Sequence, residues 1–339
     1  MNASPPPSSL SLSPARSPSP AIDIAADHAL RLRFAEDCDP IDDAGQVRLT
    51  FRIRQVMADV LNDPPPGLTD VAAGYRSLLL RFLPATFDAH ACAEGLSRRL
   101  QTLPPAESIA SHPPPRCHAI PVWYGRDLGP DLSDVARHAR LSEADVIALH
   151  ASAVYTVAFL GFAPGFPYLL GLPPALQLPR LSSPRPRVPA GSVAIAGAQA
   201  GIYPQRSPGG WRLLGRTNQP LLQLASTPQS LLWPGDEVRF VPQPASAFRE
   251  PSSSYDPLDP QIPPIAGAVP GLRVLSPGPL STVQDLGRPG WAHLGISAGG
   301  AADAVALRVA NRLVGNPDGA AGLELTLRGP ELQAEIDVC

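Results

Sequence analysis

The sequence predicts a sheet-rich α+β protein, on three observations. Apolar residues run first at strand spacing and then at helix spacing through residues 21–104, the pattern of a small α/β sandwich. Residues 116–242 break into short apolar runs between Gly/Pro turns, with few helical stretches, the pattern of a closed barrel. Proline-rich runs at 104–115 and 243–271 separate these regions from each other and from a last one, 272–339.

Residues 1–20 are nearly all Pro, Ser, Ala and Leu and predict a disordered tail; they lack the charged and apolar parts of a signal peptide. Ile22 and Ile24, then Leu30, Leu32 and Phe34, sit at even spacing around Asp27-His28 and predict a strand pair. Asp42 or Asp43 caps a helix carrying Leu49, Ile53, Val56 and Val60 on one face. Val71–Phe82 reads as two strands around Gly74, and Phe87, Cys92, Leu96, Leu100 and Leu103 mark a second helix. In the next region Ile120–Tyr124 is a strand, Asp131 caps a short helix with Asp134 at its third position, and Ser142 with Asp145 caps another running to about His150. Strands are expected at 154–162, 192–196, 211–217, 221–224 and 236–241.

Composition excludes several functions. The net charge of −3 over 339 residues argues against nucleic-acid binding through gross positive potential. All 27 basic residues are arginines. Without lysine there is no P-loop lysine, no Schiff-base lysine and no residue to carry covalent biotin, so an ATP site must use arginine, backbone amides or a partner. Cys38, Cys92, Cys117 and Cys339 have no metal-clip or redox spacing and predict reduced thiols, as in the cytoplasm. No metal site is read, and no apolar run reaches the length of a membrane span.

The most informative stretch is Phe159-Leu160-Gly161-Phe162-Ala163-Pro164-Gly165-Phe166-Pro167-Tyr168-Leu169, apolar throughout yet broken four times by glycine or proline. Pro164-Gly165 fits the middle of a type II turn that would hold Phe162, Phe166 and Tyr168 as the wall of a small-molecule pocket; the other reading is a packed turn. His150 ends a predicted helix, a position that favours a cationic imidazole; it is a catalytic candidate because it leads into the strand that feeds the 162–168 turn, and the other reading is a structural histidine. Arg180 and Arg185 are anion-binding candidates beside Arg187, and Arg216 is a second catalytic or binding candidate, placed after a glycine-rich turn where its side chain reaches a barrel mouth. Gly209-Gly210 fits a backbone nest for an anion or an ordinary hairpin turn.

The same stretch, with Val188-Pro189-Ala190-Gly191-Ser192-Val193, Gly201-Ile202-Tyr203-Pro204, Ser207-Pro208-Gly209-Gly210-Trp211 and Leu214-Gly215-Arg216-Thr217, resembles the KipI/PxpB family, the allophanate hydrolase subunit 1-like proteins. The resemblance runs from about Ile120 to Pro242 and more weakly through Gly74-Tyr75-Arg76-Ser77. It implies a cyclophilin-like barrel and adds Ser192 and Thr217 to the binding set. Leu272–Pro330, through Ser281-Thr282-Val283-Gln284-Asp285-Leu286-Gly287-Arg288-Pro289-Gly290 and His293-Leu294-Gly295-Ile296, resembles the start of the PxpC/KipA family, an incomplete second carboxyltransferase-type domain; it implies Gln284, Asp285, Arg288 and His293 as candidates, with Ala298 and Gly299 departing from the pattern. A region this short is expected to expose hydrophobic edges such as Leu323, Leu325 and Leu327.

By resemblance the chain is part of ATP-dependent 5-oxoprolinase, a multi-subunit enzyme that activates the lactam by phosphorylation before ring opening to glutamate. That implies ATP with magnesium, a PxpC/KipA-type partner, a LamB/YcsF (PxpA)-type partner and a small anionic substrate. It also implies little turnover by this chain alone. Two other functions remain open: a KipI-like inhibitor of a sensor histidine kinase, and the substrate half of a biotin-dependent urea carboxylase or allophanate-type carboxyltransferase.

Overall fold

A computed structural model describes residues 20–34, 42–104, 115–223, 226–244, 247–249 and 271–336; most of the expected tail and linker lie outside them. The chain divides between residues 114 and 115 into two units, with Thr69–Ala72 grouped with the second.

In the first unit, strands β1 (Ala21–Ala26) and β2 (Ala29–Arg33) pair antiparallel, with Ile22 opposite Leu32 and Ile24 opposite Leu30. Helix α1 (Asp43–Asn62) begins where the Asp42 carboxylate accepts the Gly45 N–H at 2.7 Å. Strands β3 (Leu68–Ala73) and β4 (Ser77–Phe82) complete a sheet of order β1-β2-β4-β3. Helix α2 (Ala89–Thr102) is capped by Asp88, so Phe87 falls outside it and stacks on Phe82 at 4.8 Å. Leu30, Leu32, Ile53, Val56, Leu78 and Leu80 are buried, as their spacing predicts, each contributing about 1.5–3 kcal/mol of burial free energy.

The second unit opens with β5 (Cys117–Tyr124), α3 (Leu132–Ala139) and α4 (Glu143–Ser152). It continues through β6 (Tyr155–Leu160), β7 (Pro167–Leu170), β8 (Arg185–Val188), β9 (Ser192–Ala196), β10 (Gln199–Ile202), β11 (Ser207–Gly209), β12 (Arg212–Arg216) and β13 (Glu237–Gln243). Seven of these strands close the expected barrel in the order β10-β7-β6-β13-β5-β12-β9, while β8 and β11 pair separately. Ile120, Val122, Leu169, Val193, Ile195, Leu214 and Phe240 form one core with Val135 of α3 and Val146 of α4. Alternate residues, Ala194, Ala196 and Leu213, face a second cluster with Phe166, Val188, Tyr203 and Trp211. Asp236, wholly buried, fastens the barrel's two ends: its carboxylate accepts from Arg116 Nη2 at 2.6 Å, His118 Nε2 at 3.2 Å and the Trp233 N–H at 3.0 Å.

Two expectations are corrected here. Residues 221–223 make no strand, residue 224 lying outside the described residues: Leu222 forms an isolated bridge to Ser230, between Pro220 and Pro228, which have no N–H to give a ladder. Conversely, β7, β8, β10 and β11 appear where no strand is expected. Each contains a proline or glycine, read as punctuation, that the structure places at a strand start, in a two-stranded ribbon or at a close approach.

The final segment holds β14 (Leu272–Ser276), β15 (Leu280–Gln284), α5 (Ala304–Leu313), β16 (Gly322–Thr326) and β17 (Glu331–Ala334). It pairs as β14-β17 and β15-β16. Leu323, Leu325 and Leu327 are exposed, Leu327 almost fully. Leu294 and Ile296 nevertheless join the barrel core, and the Leu294 carbonyl accepts the Gly165 N–H at 2.8 Å. The described residues of 116–242 and 272–336 lie within the second unit. Among the described residues no helix is long and apolar enough to cross a membrane.

Candidate functional site

The turn between β6 and β7 is built from two tight reversals. The Ala163 N–H donates to the Gly161 carbonyl at 2.8 Å around Phe162, whose φ is +69°. This is a γ-turn with positive φ, a strained conformation for a bulky L-residue. The Phe166 N–H then donates to the Ala163 carbonyl at 2.9 Å around Pro164-Gly165, with Gly165 at φ +75°, as the type II reading requires. The Phe162 ring is 62% exposed, whereas Phe166 is buried. Of the three aromatics expected to form a wall, Phe166 is instead the core on which the others rest. Its ring lies edge-on to Phe162 at 5.4 Å, to Tyr203 at 5.2 Å and to Trp211 at 5.5 Å, and tilted against Tyr168 at 5.1 Å. Tyr203 and Trp211 complete this cluster, although sequence reasoning places them in motifs without singling them out; the positions where glycine gives way to an aromatic were the available signal.

The arginines divide by partner. Arg180 is exposed, with its guanidinium 6.0 Å from the Trp211 ring centre. Arg185 Nη2 donates to the Asp131 carboxylate at 2.7 Å, and the other Asp131 oxygen accepts the Leu213 N–H at 2.7 Å. Asp131 thus stands at the start of α3 as expected, but its side chain ties β12 and β8 instead of capping the helix. Arg185 Nη1 and Ser207 Oγ, on the paired strands β8 and β11, are buried without hydrogen-bond partners. Burial raises the pKa of Tyr168, opposed by nearby Arg180; burial also raises that of Tyr203, opposed by a hydrogen bond from the Trp211 backbone. Arg187 is exposed. Neither Gly209 nor Gly210 has the positive φ of a nest: Gly209 is in β11 against Tyr203, and the Gly210 carbonyl accepts the Leu181 N–H at 2.8 Å. In place of an anion cradle, the pair joins β11 to β12, with Gly209 packed under the Tyr203 ring.

Ser192, Arg216 and Thr217 gather at the other end of the β9 face. Arg216 pairs in register with Ser192 on one side and Trp123 on the other. Its Nε–H donates to the Ala190 carbonyl at 3.1 Å, and its guanidinium lies 5.0 Å from the Phe248 ring centre. Ser192 Oγ donates to the Pro189 carbonyl at 2.8 Å and Thr217 Oγ1 accepts the Gln219 N–H at 3.1 Å. Both ends meet through Tyr203, whose N–H donates to the Ser192 carbonyl at 2.9 Å.

His150 belongs to neither group. It is fully buried, stacked on Phe240 at 4.7 Å, with Nδ1 2.8 Å from the Tyr124 hydroxyl and Nε2 unpartnered. Burial pushes its pKa down to about 3, so the expected imidazolium is corrected to a neutral core ring: desolvation overrides the helix terminus. In the last segment Gln284 Nε2 donates to Thr282 Oγ1 at 3.2 Å, Asp285 accepts the Gly287 N–H at 2.7 Å and the Arg288 N–H donates to the Ala298 carbonyl at 2.7 Å. His293 lies 5.5 Å from Trp233 with Nδ1 buried and unpartnered, its pKa lowered by burial. Among the described residues no three His, Cys, Asp or Glu side chains gather to hold a metal ion.

Residues 20–232 match the family model "Carboxyltransferase domain, subdomain C and D", and residues 294–339 match "Carboxyltransferase domain, subdomain A and B". The chain is 44% identical over 206 residues to the B subunit of 5-oxoprolinase from Escherichia coli O157:H7, covering 60% of this chain and 88% of that one. It is 47% identical over 66 residues to the C subunit of 5-oxoprolinase from Escherichia coli K12, covering 20% of this chain and 21% of that one. The crystal structure of TTHA0988 in space group P212121 superposes with a TM-score of 0.69 at 38% identity, over 90% of this chain; the chain spans 57% of that protein's length. By the extent of the first of these matches, the chain belongs to the carboxyltransferase subdomain C and D family, among the KipI/PxpB proteins.

Proposed function

We propose that this chain works within ATP-dependent 5-oxoprolinase and that its part is to hold the 5-oxoproline ring while the lactam is activated. The observation that carries the reading is the 44% identity spanning 88% of a 5-oxoprolinase B subunit. The geometry supports the division of labour. The exposed, strained Phe162 edge suits a small flat ring, and backbone strain of this kind persists where a site uses it. The spare Nη1 of Arg185, with the unpartnered Ser207 Oγ on the paired strand β11, suits the substrate carboxylate.

An amide resists hydrolysis until its oxygen becomes a leaving group, which is the chemistry a phosphoryl donor supplies. The described residues do not fit ATP with magnesium. Gly209-Gly210 forms no nest, and among them no three His, Cys, Asp or Glu side chains gather to hold the metal. We therefore assign this chain the lactam, and a PxpC/KipA-type and a LamB/YcsF-type partner the remaining steps. The match of residues 294–339 to the subdomain A and B model supports the first of these partners.

The test is reconstitution. With both partners, ATP-dependent release of glutamate from 5-oxoproline is expected to require this chain, and this chain alone is expected to give little. Equal rates with and without it, or full turnover by the chain alone, would overturn the proposal.

A further inference from the structure

We infer that the strap Trp291–Ile296 holds the Phe162 turn in its ligand-binding shape, and that Gly295 is the positioning residue at the contact. The inference rests on the proposed reading of that turn as the edge that meets 5-oxoproline.

The turn is strained at the residue the site uses. Phe162, at φ +69°, stands between Gly161 and Ala163, which close the γ-turn around it. A conformation of this kind persists only where the surroundings over-determine it. Three bonds of the turn are local: Ala163 N–H to the Gly161 carbonyl at 2.8 Å, Phe166 N–H to the Ala163 carbonyl at 2.9 Å, and Gly161 N–H to the Phe166 carbonyl at 3.1 Å. Bonds within one turn cannot hold a strained member against relaxation of the turn as a whole. The Gly165 N–H reaches further, to the Leu294 carbonyl at 2.8 Å.

The strap is fixed independently of the turn. Its short 3-10 helix, Ala292–Leu294, is closed by the Leu294 N–H to the Trp291 carbonyl at 3.0 Å and the Gly295 N–H to the Ala292 carbonyl at 2.9 Å. Leu294 and Ile296, on either side of Gly295, are buried in the barrel core. The barrel therefore sets where Gly295 stands. Its φ is +74°, and a Cβ there would lie 3.0 Å from the Ala163 carbonyl oxygen, 3.0 Å from the Gly161 nitrogen and 3.1 Å from the Gly161 Cα. These are the two residues that flank Phe162. Backbone meets backbone, an approach only glycine permits. With Gly295 in that space, it is closed to the shift of Gly161 and Ala163 by which Phe162 would leave its strained φ. The motif His293-Leu294-Gly295-Ile296, to which the chemistry of the site gives no other part, thereby acts on the site through the turn.

The experiment compares two glycines of the last segment. Gly315 has φ +76° and no atom beyond its chain neighbours within 4 Å of a Cβ, so Gly315→Ala carries the backbone strain of Gly295→Ala without its contact. Hydrogen exchange is followed on the full chain, and KM is measured in the enzyme reconstituted with both partners. Gly295→Ala is expected to speed exchange of the Gly165 amide tenfold or more and to raise KM for 5-oxoproline several-fold, with KM for ATP unchanged. Gly315→Ala is expected to change none of these. If the wild type turns over 5-oxoproline and Gly295→Ala behaves as Gly315→Ala does, the inference is overturned and the functional reading stands. If the wild-type enzyme shows no turnover, the functional reading falls and the positioning role falls with it. Faster exchange with an unchanged KM for 5-oxoproline would also refute the positioning role. A wild-type measurement covers a Gly295→Ala chain that does not fold. A ligand that prefers the held turn must in return favour the strap bond, so saturating 5-oxoproline should slow exchange of the Gly165 amide several-fold. No slowing would overturn the inference.

Discussion

Phe162 and Phe166 stand four residues apart in one turn, and their replacement should have opposite consequences. Phe166 is buried among Tyr203, Trp211, Ala194 and Leu213, so Phe166→Ala should cost about 3–5 kcal/mol of stability, as for large core aromatics. Phe162→Gly removes a ring that is 62% exposed and sits at φ +69°. Relief of that conformation returns about 1–2 kcal/mol. Against it stand the edge contacts with Phe166 and Tyr203, each worth about 0.5–1.5 kcal/mol and less for an exposed ring. Glycine's extra chain entropy adds about 0.5–1 kcal/mol. The net change should lie within about 1 kcal/mol of zero, the spread expected when terms of this size cancel. Urea unfolding with an unchanged slope measures it. Calorimetric titration of 5-oxoproline in the presence of the PxpC-type partner should show Phe162→Gly binding at least severalfold more weakly. A Phe162→Gly loss as large as that of Phe166→Ala would make Phe162 a packing residue, and unchanged affinity would refute its role over the ligand.

Gly201→Ala should destabilise by about 1–3 kcal/mol by overpacking, since a Cβ there meets Phe166 Cζ at 2.9 Å and the Pro167 carbonyl at 3.0 Å; a neutral melting temperature would contradict the close approach. Asp236→Ala leaves Arg116, His118 and the Trp233 N–H without their acceptor and should cost about 2–4 kcal/mol, below the full loss for a buried pair because Arg116 is half exposed; chemical denaturation measures it, and a loss under about 1 kcal/mol would refute the fastening role. The pKa of His150 falls from its ordinary 6.5 to about 3 in the folded protein. Below pH 6.5 the unfolded chain therefore takes up a proton the folded one refuses, and stability drops as pH falls through the window 6.5 to 3, by about 1.4 kcal/mol per unit. The loss between pH 7 and 5 should be about 2 kcal/mol smaller in His150→Phe than in the wild type, and equal losses would show that the ring is not held neutral.

The helices and the sandwich strands were legible because their periodicity and caps are local: Asp42, Ser142 and Asp145 act where the sequence places them. The type II turn was legible for the same reason. The barrel was readable as a class but not strand by strand. Pro167, Pro186, Gly201 and Pro208 look like breaks, and only long-range pairing makes room for them. The site was legible in its residue types but not in its grouping. Arg185 and Arg216 look equivalent in the sequence, yet one is held by Asp131 and the other lies under Phe248. His150 misled because a helix end is visible in sequence, whereas burial beneath Phe240 is not.

The barrel's closure has a consequence for how the chain is made. β5 finds its parallel neighbour only in β13, where Glu237 faces Cys117 and Gln243 faces Trp123, and β13 also completes β6. A ribosome delivers the first of these strands long before the last, so at about 5–20 residues per second one sheet edge waits roughly ten seconds for its mate. During that interval β5 and β6 present unpaired backbone, the kind of edge that recruits the wrong neighbour. Nascent chains released before residue 243 should therefore be chaperone clients, and synonymous changes that slow translation between β6 and β13 should lower the soluble yield without altering the finished molecule.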